Sequence, residues 1–434
     1  MYFLYNIALY VGFLILTPRF VYDAITKGKY VAGFKERLGV VPQFESRGRQ
    51  VVLLHCVSVG ESNAALPLAK KLKERSPDIA LAISTTTKTG QQVARASYAD
   101  IADLVVYFPF DFRWSVKRFL RRIKPDVVLL TETELWFNFI RLAHRSHASV
   151  AIVNGRLSER SFRRYSWVKG FMKQLLGYVD LALMQGDRDA QRLMALGVDG
   201  GKVKVSGNLK FDVEQPGSEG DLTVEFRQRF GVDEQSHLIL AASTHSPEEQ
   251  KLLDAFKKIR ENTLSDHPAR LMLVPRHPER FGEVAGVIKT SGFTLARRSE
   301  PPSTHDKTAD VILLDSMGEL NAAYPLAELV FVGGSLIPHG GQSIFEPAAA
   351  GKAIVTGPQT ANFDAAVKEF LSRDALIQLP DAEVESLARI FSELLSDADR
   401  RHALGQNALA VMDANRGAVD RTVEYLTPLI TAGR

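Results

Sequence analysis

The chain has one cysteine, Cys56, among 434 residues. That excludes an intramolecular disulfide and any cysteine-based zinc site, and it suits a reducing compartment. Net charge is small as well: 54 basic residues against 50 acidic ones leave +4. No recognisable nucleic-acid module and no array of stacking aromatics accompanies that charge, so no nucleic-acid partner is expected. What the chain does have is length and 45% hydrophobic content, enough for two sizeable cores, and two domains are the default.

The first seventeen residues, Met1 to Thr17, carry no charge and are mostly Leu, Ile, Phe, Tyr and Val. No basic region precedes them and no small-residue cleavage site follows, which argues against a removable signal. Lys27, Lys29, Lys35 and Arg37 come next and would keep the body of the protein in the cytoplasm. Residues 1–22 are therefore expected to be an uncleaved anchor, inserted in the membrane or lying on its surface. The alternative is a buried N-terminal helix of the first domain. Arg113 to Lys124 holds six basic residues with Trp114, Val116, Phe119, Leu120 and Ile123 between them. That pattern suits a helix on an anionic membrane and, equally, a core helix with a solvated outer face.

Beyond the anchor, short apolar runs alternate with amphipathic stretches. Seven lie between Val51 and Ser206 and seven between Leu238 and Leu379. Buried strands separated by helices indicate parallel sheets covered on both faces. The expected fold class is α/β, with two doubly wound, Rossmann-like domains facing each other across a cleft. The expected boundaries are 30–211 for the first domain, 212–224 for the linker and 225–410 for the second. Residues 411–434 would form a helix that returns to the first domain. In such sheets ligands bind beyond the carboxyl ends of the strands.

Polar motifs collect at those ends. Val330 to Pro358 reads as strand, glycine-rich turn, helix opening at Gln342 to Phe345, then Glu346 and another strand. Glycines followed by a helix N-terminus suit a phosphate, and Glu346 could accept from a ribose diol. The simpler alternative is a tight turn with a surface acid. His55 to Ser62 follows the first strand, with Gly60 read as permitting a sharp turn and Glu61 opening the next helix. A carboxylate there stays ionised and can act as a base, or it merely stabilises its helix. No acid completes a nucleophile triad with Ser58, Ser62 or His55. Glu132 and Glu134, and the arginines from Arg156 to Arg164, sit at other strand ends. In the second half Pro275-Arg276-His277-Pro278 would hold Arg276 rigidly for a phosphate, and Ser243-Thr244-His245 ends an adjacent strand. Asn208 and Lys210 fall at the domain junction. Asp187-Arg188-Asp189 resembles a metal-binding D-x-D but reads better as a helix start, and no metal site is expected.

With these motifs in this order, the chain resembles the 3-deoxy-D-manno-octulosonic acid (Kdo) transferases over essentially its whole length. The resemblance implies a GT-B fold, CMP-Kdo as donor substrate with no cofactor, inversion at the anomeric carbon without a metal, and the lipid A precursor as acceptor. It also implies an N-terminal anchor in the inner membrane with the catalytic body on the cytoplasmic side. Glu61 would be the general base. Arg276, His277, Gly334, Ser335, Gly340, Gly341, Gln342, Ser343 and Glu346, with Asn208 and Lys210, would form the donor site. Gly60, Ser62, Glu132, Arg156 and Arg160 would lie on the acceptor side. The family usually carries Asn where this chain has Ser343, a shorter reach at the phosphate. The alternatives are a GT-B transferase or epimerase using a UDP-sugar, and a catalytically silent membrane protein that binds lipid A or a nucleotide.

Overall fold

The computed structural model describes residues 2–27, 32–213, 220–233, 237–262 and 269–431. It contains two compact units, Met1–Asp212 with Asn415–Arg434, and Val213–Ala414. Part of the expected linker, residues 214–219, and Lys29 fall outside the described residues.

The first unit is built on seven parallel strands: β1 Val51–Cys56, β2 Ala80–Thr85, β3 Leu104–Tyr107, β4 Val127–Thr131, β5 Ser149–Gly155, β6 Leu181–Met184 and β7 Val203–Val205. Their order is β3-β2-β1-β4-β5-β6-β7. Register is set on both sides of β1, where Leu53 pairs with Ala82 and with Val128. The run Val51-Val52-Leu53-Leu54 is apolar throughout because both faces are covered. Val51 and Leu53 enter one core, while Val52, Leu54 and Cys56 enter the other. The second core takes Ala65, Leu68, Ala69 and Leu72 from the helix Val59–Arg75 and Ala418, Val419, Val423, Leu426 and Ile430 from the helix Ala418–Thr431. Each such leucine or isoleucine contributes roughly 2 kcal/mol by leaving water. Asp212 fixes the entry of that last helix by accepting from the N–H groups of Gly417 (2.7 Å) and Val419 (2.5 Å). Residues 411–415 do not belong to it; they finish the preceding helix Ala398–Asn415, and Gly417 at φ 88° breaks the two apart.

The second unit repeats the plan with β8 Leu238–Thr244, β9 Arg270–Pro275, β10 Leu295–Arg297, β11 Val311–Leu313, β12 Leu329–Val332, β13 Ala353–Thr356 and β14 Ile377–Gln378. The order is β10-β11-β9-β8-β12-β13-β14, again parallel. Chain direction across each sheet reverses once, beside β1 and β4 in the first and beside β8 and β12 in the second. Those reversals leave crevices at the carboxyl ends, where ligands bind in open α/β sheets.

The N-terminal helix runs Tyr2–Lys27, and Tyr2–Phe20 is long and apolar enough to cross a membrane by length and composition. One face docks on the first unit. Tyr5 donates to Asp111 (2.7 Å), Asn6 pairs with Asn138 (2.9 Å), and Tyr10 stacks on Phe112 at 4.9 Å. The opposite face is bare, with Phe3, Leu14 and Ile15 exposed by 70% or more. It is not a buried core helix. Arg37 does not flank it as a free cation: it is buried, donates to the Thr86 carbonyl (2.5 Å) and lies over the Tyr107 ring. The helix Arg113–Ile123 buries Val116, Phe119, Leu120 and Ile123, as its spacing predicts. Trp114 leaves that stripe; it is exposed, stacked on Phe112, with Arg118 above its ring.

Candidate active site

At the β1/β4 crevice of the first unit, Ser58 is the N-cap of the helix Val59–Arg75, and Glu61 lies in its first turn. The Glu61 N–H donates to Ser58 Oγ, and the Ser58 hydroxyl returns a bond to Glu61 Oε1 (3.1 Å). Glu61 Oε2 accepts from the Val57 N–H (2.9 Å), and the Thr131 hydroxyl at the end of β4 lies 2.7 Å from it. Burial pushes the Glu61 carboxyl above its ordinary range, and Glu132 adds to that, while Thr131, Val57 and Ser58 pull it back. The result is a fixed carboxylate that is more basic than a solvated one, which suits a proton acceptor near neutral pH. Gly60 does not make the turn: it lies within the first turn of the helix, exposed, and a Cβ there would meet only Ser58 Oγ at 3.9 Å. Ser62 is fully buried inside the helix and offers nothing to an acceptor. His55 is a neutral core histidine, stacked on Phe108 at 3.8 Å and lowered to about 3 by burial.

Glu132 begins the loop after β4 at φ 54°, a left-handed conformation that costs a non-glycine residue about 1 kcal/mol. It is paired with Lys210 Nζ at 3.1 Å. Asn154, also at positive φ, accepts the Leu209 N–H (3.0 Å), and Asn208 accepts the Lys210 N–H (3.0 Å). Asn208 and Lys210 therefore belong to the first unit, where Lys210 stands beside Glu132. Thr133 accepts the Arg156 N–H (3.0 Å) and donates to the Arg156 carbonyl, tying the β4 and β5 loops together. Arg160 is exposed on the short helix Glu159–Ser166. Asp189 accepts the Leu157 N–H (2.7 Å) within the helix Asp187–Ala195, which accounts for the D-x-D sequence. No group of three His, Cys, Asp or Glu side chains is placed to hold a metal among the described residues.

Thr131 of this site escaped the sequence reading, and Glu134 is legible there only as a strand-end acid with no role. Burial first, then the charges of Glu61 and Glu132, push the Glu134 carboxyl up to about 7. Its ordinary value is 4.5, so between the two values the folded protein holds a proton the unfolded chain has lost. Stability therefore falls as pH rises through that window. Glu134→Gln is expected to be about 1 kcal/mol more stable than the parent at pH 8, after discounting for solvent, with the gap closing towards pH 5. Thermal melts across that range measure it.

In the second unit, three strand ends meet at the β8/β12 crevice. Gly333 after β12 passes so close to β8 that a Cβ would lie 2.6 Å from the Ser243 carbonyl oxygen. Glu248, fully buried, gathers the loops: its carboxylate accepts from the N–H groups of His245 (2.9 Å), Gly334 (2.7 Å), Ser335 (3.0 Å) and Leu336 (2.9 Å). It lies in the first turn of the helix Glu248–Asn262, and only the fold shows it bracing the glycine-rich loop. Ser335 braces the same loop, donating to the Val332 carbonyl (2.5 Å) and accepting from the Gly357 N–H (2.8 Å), fully buried. Gly340 and Gly341 take φ of 100° and 80°, and the Gly341 N–H closes onto the Gly334 carbonyl (2.7 Å). The helix begins later than the sequence suggested, at Phe345, and runs only to Ala349. The glycines hold residues 340–341 left-handed, so the helix dipole is short and contributes little there. Ser343 donates to the Glu346 carboxylate. At the end of β9 the Arg276 N–H bonds the Thr244 carbonyl (3.0 Å), and no acceptor among the described residues takes its guanidinium. His277 and His339 are exposed on either side of buried His245, with ring centroids 5.3 and 4.3 Å from it. A cation, three imidazoles and a glycine loop suit an anionic ligand.

A family model described as 3-deoxy-D-manno-octulosonic-acid transferase (kdotransferase) matches residues 32–213. A 3-deoxy-D-manno-octulosonic acid transferase of Haemophilus influenzae is 31% identical over 94% of this chain and 93% of its own length. That of Bordetella pertussis is 32% identical over 86% of each. Among solved structures, Anabaena HepE in complex with UDP and glucose has a TM-score of 0.57 at 14% identity, covering 88% of this chain and all of that one. A UDP-N-acetylglucosamine 2-epimerase from Listeria monocytogenes, described as putative, has a TM-score of 0.56 at 15% identity, covering 88% and 96%. At those identities the two structures speak to the fold alone, which is the two-sheet GT-B arrangement.

Proposed function

The chain belongs to the 3-deoxy-D-manno-octulosonic acid (Kdo) transferase family, and from that membership we propose that it moves Kdo from CMP-Kdo to the lipid A precursor (lipid IVA) in lipopolysaccharide synthesis, with inversion and without a metal. The observation that carries the mechanism is the Glu61 carboxylate, held by Val57, Ser58 and Thr131 at the first crevice.

In the forward step an acceptor hydroxyl gives its proton to Glu61 as its oxygen bonds to the anomeric carbon of Kdo. The bond from that carbon to the phosphate oxygen breaks, and CMP leaves with the electron pair. Arg276 neutralises the charge that develops on the departing phosphate, supported by the N–H groups of Gly340 and Gln342. Glu346, with Ser343 donating to it, binds the ribose. Ser335 and Gly334 shape this site through the loop they belong to. On the first unit Asn208 and Lys210 are the donor-side residues, and Glu132, Arg156 and Arg160 the acceptor-side ones. The helix Tyr2–Phe20, apolar and bare on one face, anchors the chain to the inner membrane with both units in the cytoplasm.

The test is Kdo transfer by the purified full-length chain to a tetra-acylated lipid A precursor, with CMP-Kdo made in situ and chelator added once the donor has formed. Transfer that survives chelation is the expected result. No transfer by the folded protein, or transfer only from a UDP-sugar, would overturn the assignment.

A further inference from the structure

We propose that His245, His277 and His339 form a proton-accepting anion subsite in the second unit, which takes up a proton when the donor's cytidine phosphate binds. This deepens the proposed function and rests on CMP-Kdo being the donor.

The argument starts from one nitrogen. His245 Nδ1 lies 3.2 Å from the Ser243 carbonyl oxygen, a pure acceptor, so Nδ1 carries the proton. In the neutral ring Nε2 is then a lone pair. It is buried and has no hydrogen-bond partner among the described residues. A buried acceptor left unmatched is costly, and one that must adjoin an anion is worse. Protonating Nε2 turns it into a donor and resolves both problems, provided a negative charge arrives to hold the proton.

The surroundings explain why the proton waits for the ligand. From the His245 segment itself come two carboxylates, and both are engaged. Glu248 lies 4.0 Å from Nδ1 but is saturated by four backbone N–H groups, and Glu249 is locked by Arg280 and Thr244. From the end of β9 come the Arg276 cation and His277, the latter 3.8 Å from Glu279. From the loop after β12 comes His339, its ring tilted against that of His245 with centroids 4.3 Å apart. With no free anion present, a charge on His245 would meet the two other rings at close range. Burial and these two imidazoles hold its ring down at about 4. A phosphate brought in by Arg276 and the glycine loop supplies the missing counter-charge, and the cluster can then charge by one.

The experiment is calorimetric titration of CMP, with cytidine as control, into the full-length chain in detergent at pH 7.5, using buffers of different ionisation enthalpy. The expected result is uptake of between half and one proton with CMP, and affinity weakening by up to about tenfold per pH unit above neutrality. His245→Gln, whose amide can donate without a proton, is expected to bind CMP with no uptake and a flat pH dependence. Uptake that persists in His245→Gln, or CMP binding by the parent with no proton exchanged, overturns the subsite and leaves the donor assignment standing. Failure of CMP to bind at all overturns both. Should the variant not fold, ring resonances of histidine-labelled parent protein decide: one buried ring moving to its protonated position on adding CMP supports the subsite, and unchanged rings refute it.

Discussion

Glu61→Ala is expected to lower the transfer rate by about 10³-fold, the range a positioned general base supplies. The fold should survive. Removing the side chain strands the Val57 N–H, while the Thr131 hydroxyl keeps the His55 carbonyl as its acceptor (2.7 Å); it also removes a carboxylate that burial disfavours, and the two effects oppose. Glu61→Gln keeps the shape and loses the base, so it should be nearly as slow. Single-turnover transfer measured beside a melting curve separates the chemistry from folding. The pH profile of the parent gives an independent check. Because the Glu61 carboxyl is raised, activity should fall on the acid side at a higher pH than a solvated carboxylate would give, as protonation removes the base. A variant retaining a tenth or more of the parent rate would exclude Glu61 as the base.

Arg276→Ala is expected to cost roughly 10²–10³-fold in kcat/KM for the donor, the scale seen when one preorganised charge-stabilising donor is removed. What sharpens the test is that the guanidinium has no acceptor among the described residues, so its loss leaves no partner stranded. Stability should be unchanged within about 0.5 kcal/mol. Arg276→Lys should recover part of the rate, because the charge returns without the planar fork. If both variants match the parent in rate, the leaving phosphate is held elsewhere.

Much of the fold can be read from residue order. The fourteen strands lie where short apolar runs do, because both faces of each sheet are covered and no alternation dilutes the signal. The capping sequence Ser58-Val59-Gly60-Glu61 likewise announces a helix start. Tertiary proximity is another matter. Glu134 is perturbed first by burial and then by Glu61, which the pairing of β4 with β1 brings near, and no local spacing encodes either. Ser335 reads as a ligand-facing hydroxyl in a glycine-rich loop, yet its hydroxyl is consumed by Val332 and Gly357. The delayed helix at Phe345 follows from two left-handed glycines whose φ signs composition cannot report. Trp114 looks like part of the core stripe by composition but lies outside it, because it stands two residues before Val116 and so on the opposite side of the helix, where it stacks on Phe112. His245 was visible as the end of a strand, but the meeting of three histidines needed β9, β8 and β12 side by side.

The lone thiol has a practical side. Cys56 is fully enclosed at the end of β1, and burial together with the nearby Glu61 charge drives its ionisation far above the ordinary range. Alkylating reagents attack the thiolate, so in the native protein this sulfur is chemically mute. A cysteine introduced on the surface, at Trp167 (88% exposed) in one unit or Met317 (62%) in the other, would be the sole reactive handle. Fluorophores or spin labels can thus be attached one at a time without first engineering the native cysteine away, and the catalytic cycle can be watched in an otherwise unaltered chain.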